Sequence, residues 1–137
     1  MSTSLPARQP TRHRHAARLL APLALMSLIF YLSAQSSVGP DLPNFTRVIA
    51  HFSEYALLAA LWAWALEPLL GRRAIWAAAA ISMLYAVSDE LHQRYVPGRD
   101  SDPVDVLIDW CGIAFGLWLS RRLRAPRAAP DRRPTSR

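Results

Sequence analysis

Four apolar stretches, roughly Ala16 to Ala34, Ala50 to Leu69, Ala74 to Ser88 and Val104 to Ser120, leave this chain few folds to choose from. About 20 residues, at 1.5 Å each, carry a helix across the hydrocarbon layer of a bilayer. A backbone in that layer must satisfy its own amides and carbonyls, and a helix does so within one segment. The third stretch is short by itself, but it reaches spanning length if its helix runs on through Asp89 and Glu90. Pro40, Pro43, Pro68, Gly71, Pro97-Gly98 and Pro103 punctuate the gaps. The expected fold is therefore an all-α integral membrane bundle of four transmembrane helices in one domain, residues 16-120. Tails at 1-15 and 121-137, rich in Pro, Arg, Ser and Thr, bury nothing and are expected to be disordered. A cleaved signal peptide ending near Ser33-Ala34 is the competing reading of the first stretch, although Leu32 stands where a small residue is wanted.

The basic residues, 16 in all against 10 acids, are every one arginine. They gather at the ends of the apolar stretches. Arg8, Arg12, Arg14 and Arg18 precede or open the first, Arg72 and Arg73 join the second to the third, and Arg121, Arg122, Arg124 and Arg127 follow the fourth. The positive-inside rule then puts both termini in the cytoplasm and the loops around 35-49 and 91-103 outside. Such a distribution suits anionic lipid and topology, not a nucleic-acid-binding face. A single cysteine, Cys111, precludes an intramolecular disulfide.

Polar side chains inside such spans are costly and point to function. They fall on helical stripes. His51, Glu54, Tyr55 and Leu58 share a face of the second helix; Ser82, Tyr85, Asp89 and Gln93, with Glu90 alongside, share one on the third. On the fourth, Asp105 and Asp109 stand in line with Gly112 and Gly116, whose small-x-x-x-small spacing lets helix backbones approach closely. If the stripes converge, His51, Glu54, Asp89, Glu90, His92, Gln93, Arg99, Asp102, Asp105 and Asp109 meet at the outer end of the bundle. Arg47, Arg94 and Arg99 are the available countercharges. The plain reading is an ion-pair network that closes the mouth of the bundle. The sharper one is a binding site in which Arg99 grips a phosphate or carboxylate, Tyr55 and the stripe residues line the pocket, and Glu54, Asp89 and Glu90 are the acid-base candidates if chemistry occurs.

A mixed metal site of His51, Glu54, Asp89 and Asp105 is conceivable, but no metal-binding motif is present and no metal or other cofactor is expected. Ser33, Ser36 and Ser37 lie near His51 by loop proximity alone and lack the setting of a nucleophile. Trp62, Trp64, Trp76, Trp110 and Trp118 read as lipid-facing bulk or interfacial anchors.

The order of these motifs closely resembles the VanZ-like membrane proteins. The residues that carry the resemblance are Ala50-His51-Phe52-Ser53-Glu54-Tyr55-Ala56-Leu57-Leu58, then Ser88-Asp89-Glu90-Leu91-His92-Gln93 with Val96-Pro97-Gly98-Arg99, then Asp105-Val106-Leu107-Ile108-Asp109 with Gly112 and Gly116. Phe30-Tyr31-Leu32-Ser33-Ala34-Gln35 is similar to that family's end of helix one. The resemblance covers about residues 20 to 120. It implies a multi-pass protein of the bacterial inner membrane and cell envelope, related to a namesake associated with resistance to the glycopeptide antibiotic teicoplanin. It implies no particular reaction. A basic residue often stands in that family at the positions of Val48 and Val104, which leaves Arg47 and Arg99 as the main external cations here. The functional expectation is a protein that binds or senses an envelope component, lipid-linked or peptidoglycan-related. The alternatives are an integral membrane enzyme acting on a phosphorylated or acylated lipid headgroup, and a helper subunit of another membrane protein. Membrane lipids are the expected partners, nucleic acid is not, and no oligomeric state is specified.

Overall fold

The computed structural model describes residues 11–35, 44–98 and 102–124. Every regular element in them is helical: α1 (Thr11–Ser33), α2 (Asn44–Leu70), a single 3-10 turn (Gly71–Arg73), α3 (Ala74–Gln93) and α4 (Pro103–Arg124). Three helical stretches, not the expected four, are long and apolar enough to cross a membrane: His15–Ser33, Phe45–Gln93 and Pro103–Arg124. The difference lies at the second loop. Pro68 is accommodated in the last turn of α2, and the 3-10 turn follows without a non-helical residue, so α2 and α3 form one continuous run. Gly71, at φ 54°, takes the left-handed conformation that turns the chain at this point. The two limbs then pack side by side.

The helices outrun their apolar stretches. Helix α1 begins at Thr11, α3 continues through Asp89 and Glu90 to Gln93, and α4 reaches Arg124, because a helix satisfies its own backbone and lets charged side chains extend into water or headgroups. Helix α4 starts at Pro103, whose missing N–H costs nothing at a first position. Asp102 caps it, its Oδ1 accepting the Val104 N–H at 2.9 Å.

Helix α2 is the hub. It packs against α1, α3 and α4, whereas α1 and α4 do not meet among the described residues. Its Tyr55, Leu58, Ala59, Trp62 and Ala63 form the middle of the core with Ile29 of α1, Ala78 and Ala86 of α3, and Ile113 and Leu117 of α4. Trp62 is therefore interior, contrary to its expected place among the lipid-facing tryptophans; it follows Tyr55 by two helical turns on the buried face. Trp64, Trp76, Trp110 and Trp118 are exposed. Alanine is common along the seams, so the helices approach with little side chain between them, as helix association in lipid requires.

Helices α2 and α4 run parallel and touch along their whole length. Arg47 meets Asp105, His51 meets Asp109, and Arg124 meets Glu67. Between these, Gly112 lies against Phe52 and Gly116 against Ala56 so closely that a Cβ on either glycine would run into the facing carbonyl oxygen. Helices α1 and α3 form a second parallel pair, fastened by the Tyr85 hydroxyl, which donates to the Met26 carbonyl at 2.6 Å.

Candidate functional site

The end of α1, the start of α2, the end of α3 and the start of α4 lie together, so the polar stripes of the sequence meet at one end of the bundle. Three groups of contacts are built there, each between parallel partners.

The first joins α1 to α3. Asp89 Oδ2 accepts from the Ser33 hydroxyl at 2.9 Å and from Gln93 Nε2 at 2.9 Å, and Gln93 also reaches Ser33 Oγ at 3.4 Å. All three side chains are buried. Asp89 and Gln93 are one helical turn apart, so a single helix presents both acceptor and donor to Ser33. The structure thus places Ser33 against Asp89, not beside His51 as loop proximity in the sequence suggested. Its sequence signal was its place one turn beyond Ile29, on the buried side of α1.

The second joins α2 to α4 through His51 Nδ1 and Asp109 Oδ1, 3.0 Å apart and both nearly out of solvent. The bond fixes the ring and leaves Nε2 on its far edge. The third is at the rim. Arg47 lies 3.1 Å from Asp105 Oδ2 and 3.9 Å from Asp102 Oδ2. Asp105 is only 2 % exposed, so its charge is carried by this guanidinium.

Glu90, Asp89, Tyr55 and His92 complete the cluster. Both Glu90 oxygens are shielded from solvent and have no side-chain partner among the described residues, the backbone of Asp102 being the donor that faces them. Asp89 Oδ1 is likewise buried without a hydrogen bond among those residues. Tyr55 does not line an open mouth. It is fully buried beneath the cluster, with its ring 6.2 Å from that of Tyr85 and its hydroxyl unbonded among the described residues. His92 packs its ring 4.5 Å from Phe30. Glu54 is half-buried next to His51 on α2, and Arg94 is exposed.

The cluster therefore brings together His51, Tyr55, Asp89, Glu90, Gln93, Asp105 and Asp109, with Ser33, Arg47 and Asp102 as members whose particular partners sequence reasoning had not identified. Arg99, the expected anion-binding residue, lies outside the described residues. The mixed metal set of His51, Glu54, Asp89 and Asp105 is not assembled, because His51, Asp89 and Asp105 are each committed to a different partner. Among the described residues no three His, Cys, Asp or Glu side chains converge as a metal ion would need.

Chemically, the described part of this site is rich in acceptors and poor in free cations. Arg47 is engaged by two aspartates and Arg94 is exposed at the end of α3, whereas the Asp89 and Glu90 carboxylates keep shielded oxygen atoms that no described side chain satisfies. Buried acceptors of this kind are expensive to leave bare. Such an arrangement favours a group that donates hydrogen bonds, and His51, oriented by Asp109, adds a potential proton carrier.

No curated protein and no solved structure gives a match. The family model for VanZ/LLP1 matches residues 6–124, which takes in all four helices in full. With the site motifs and the helices that carry them inside that span, the chain belongs to the VanZ/LLP1 family.

Proposed function

We propose that this VanZ-family protein lies in the bacterial inner membrane and uses its polar end, facing outward, to bind an envelope component that is lipid-linked or peptidoglycan-related. The observation that carries the reading is the pair of under-satisfied carboxylates: Asp89 Oδ1 is shielded and unbonded among the described residues, and Glu90, with both oxygens shielded, faces only the Asp102 backbone there. A ligand bearing hydroxyl, amide or ammonium groups satisfies them, and the glycan and peptide parts of cell-wall precursors are made of such groups. A contribution to tolerance of glycopeptide antibiotics such as teicoplanin follows if the ligand belongs to the peptidoglycan pathway.

The direct test is binding of a lipid-linked disaccharide-peptide precursor to the full-length protein in nanodiscs. Glu90→Gln replaces an acceptor oxygen by a donor and should weaken binding at least tenfold, the effect of about 1.4 kcal/mol. Equal affinity of Glu90→Gln, Asp89→Asn and wild type would remove the reading.

The orientation is argued from the arginines. Arg18, Arg72, Arg73, Arg121, Arg122 and Arg124 all belong to the opposite end of the bundle, and the positive-inside rule assigns that end to the cytoplasm. In this reading the Phe45–Gln93 stretch crosses as a hairpin bent at Gly71, and both tails are inside. Reporter fusions at Gly71 and after Arg124 should then report cytoplasm, and a fusion at Gly98 the exterior; an external signal from Gly71 contradicts the hairpin.

A second reading rests on His51. A histidine held by a carboxylate through Nδ1, close to half-buried Glu54 and to Glu90, has the geometry of a general base acting on a lipid headgroup. An enzyme of that kind loses turnover in His51→Gln while still retaining its ligand. A binding protein without chemistry yields no product from the precursor in either form.

A further inference from the structure

At the end of the bundle opposite the polar cluster, α2, α3 and α4 leave a cleft of about 690 Å³ between the 3-10 turn and the last turn of α4. Glu67, Arg72, Ile75, Ser120, Arg121 and Arg124 line it. The lining carries three arginines and one glutamate, so positive charge is in excess. Arg124 Nη1 bonds Glu67 Oε2 at 2.8 Å, which neutralises one arginine and leaves Arg72 and Arg121 without a carboxylate partner among the described residues.

A second feature fixes the depth of this cleft. Three arginines at the same end lie over tryptophan rings: Arg18 over Trp64 at 4.9 Å, Arg121 over Trp76 at 5.9 Å and Arg122 over Trp118 at 5.6 Å. Exposed tryptophan and arginine at one level mark the boundary between hydrocarbon and headgroups. The mouth of the cleft thus opens where lipid phosphates lie. Ala74 and Ile75 add an apolar wall to the cleft.

We propose that this cleft binds the phosphate of an anionic phospholipid, with Arg72 and Arg121 as its ligands. Arg121 is already positioned by the Trp76 ring, so its guanidinium is presented with less loss of freedom than a free side chain would suffer. Glu67 opposes the incoming phosphate, and its pairing with Arg124 holds that carboxylate aside. The site is separate from the polar cluster and does not depend on what binds there.

The experiment uses full-length protein purified in mild detergent, exchanged against vesicles of equal parts phosphatidylcholine and phosphatidylglycerol, with native mass spectrometry counting the lipid retained. Phosphatidylglycerol should be retained in preference to phosphatidylcholine. The Arg72→Gln/Arg121→Gln double variant should lower that preference by about fivefold for each arginine removed. Glu67→Gln should raise it, since Arg124 is released to the phosphate. This second variant keeps the proposal open to test if the double variant folds poorly. Equal retention of the two lipids by wild type, an unchanged preference in a folded double variant, or a fall in Glu67→Gln would overturn it. So would inorganic phosphate that protects the protein from heat as well as phosphatidylglycerol does, since the site would then be one for a free anion.

Discussion

Alanine at position 116 breaks the pairing of α2 with α4 and lowers thermal stability in detergent by about 3 kcal/mol. One methyl group is enough because the atom it meets is the Ala56 carbonyl oxygen, a backbone atom fixed within the helical ladder of α2 that cannot turn aside as a side-chain end would. Gly112→Ala meets the Phe52 carbonyl oxygen in the same way and costs somewhat less, since its contact is the looser of the two. Leucine at either position forces the helices apart and lowers the yield of folded protein. No hydrophobic effect draws them together again in lipid, where close packing is what holds helices. The measurement is the unfolding midpoint and the monodisperse yield of both alanine variants. Wild-type values for both would mean that these backbones are not in contact.

Asp109→Ala is expected to have the second large effect. It leaves His51 buried at 8 % exposure with its Nδ1 partner gone, a loss of about 3 kcal/mol for one member of a buried pair. His51→Ala costs less, because the small cavity it opens near the rim admits water to Asp109. The double variant should be more stable than the sum of the single losses predicts, by about 1 kcal/mol or more, because neither group is then stranded. Strict additivity in a double-mutant cycle would show that the 3.0 Å contact contributes nothing.

Much of this arrangement is written within single helices, and those parts are readable from spacing. Asp105, Asp109, Gly112 and Gly116 recur at helical intervals, and all four are buried on the face that α4 turns to α2. The run of His51, Glu54 and Tyr55 is readable for the same reason, though Tyr55 proves to be a core residue. What spacing along one helix does not encode is the register between helices. That Ser33 serves Asp89, and that Asp105 belongs to Arg47 and Asp109 to His51, depends on how far one helix slides along another, whereas the inward place of Trp62 is readable from its spacing to Tyr55 and Leu58. Two arginines and a glycine in the α2–α3 connection likewise read as a loop, because charge and glycine are ordinary loop signals. In the structure they form a helical turn, and this is why the chain presents three helical stretches of membrane-crossing character where four were expected. The role expected of Arg99 falls outside the described residues.

The parallel pairing of α2 with α4 also dictates when the protein can be complete. Arg47 and His51 leave the ribosome 58 residues ahead of Asp105 and Asp109. At about 5–20 residues per second, that is a delay of about 3 to 12 s. During it α2 has no access to its two partners, while α3 and the connection after it are still being made. The hub of the bundle is thus the helix whose polar contacts close last, so an assembling chain depends on the insertion machinery, or on water at the membrane surface, to shelter a guanidinium and an imidazole until α4 arrives.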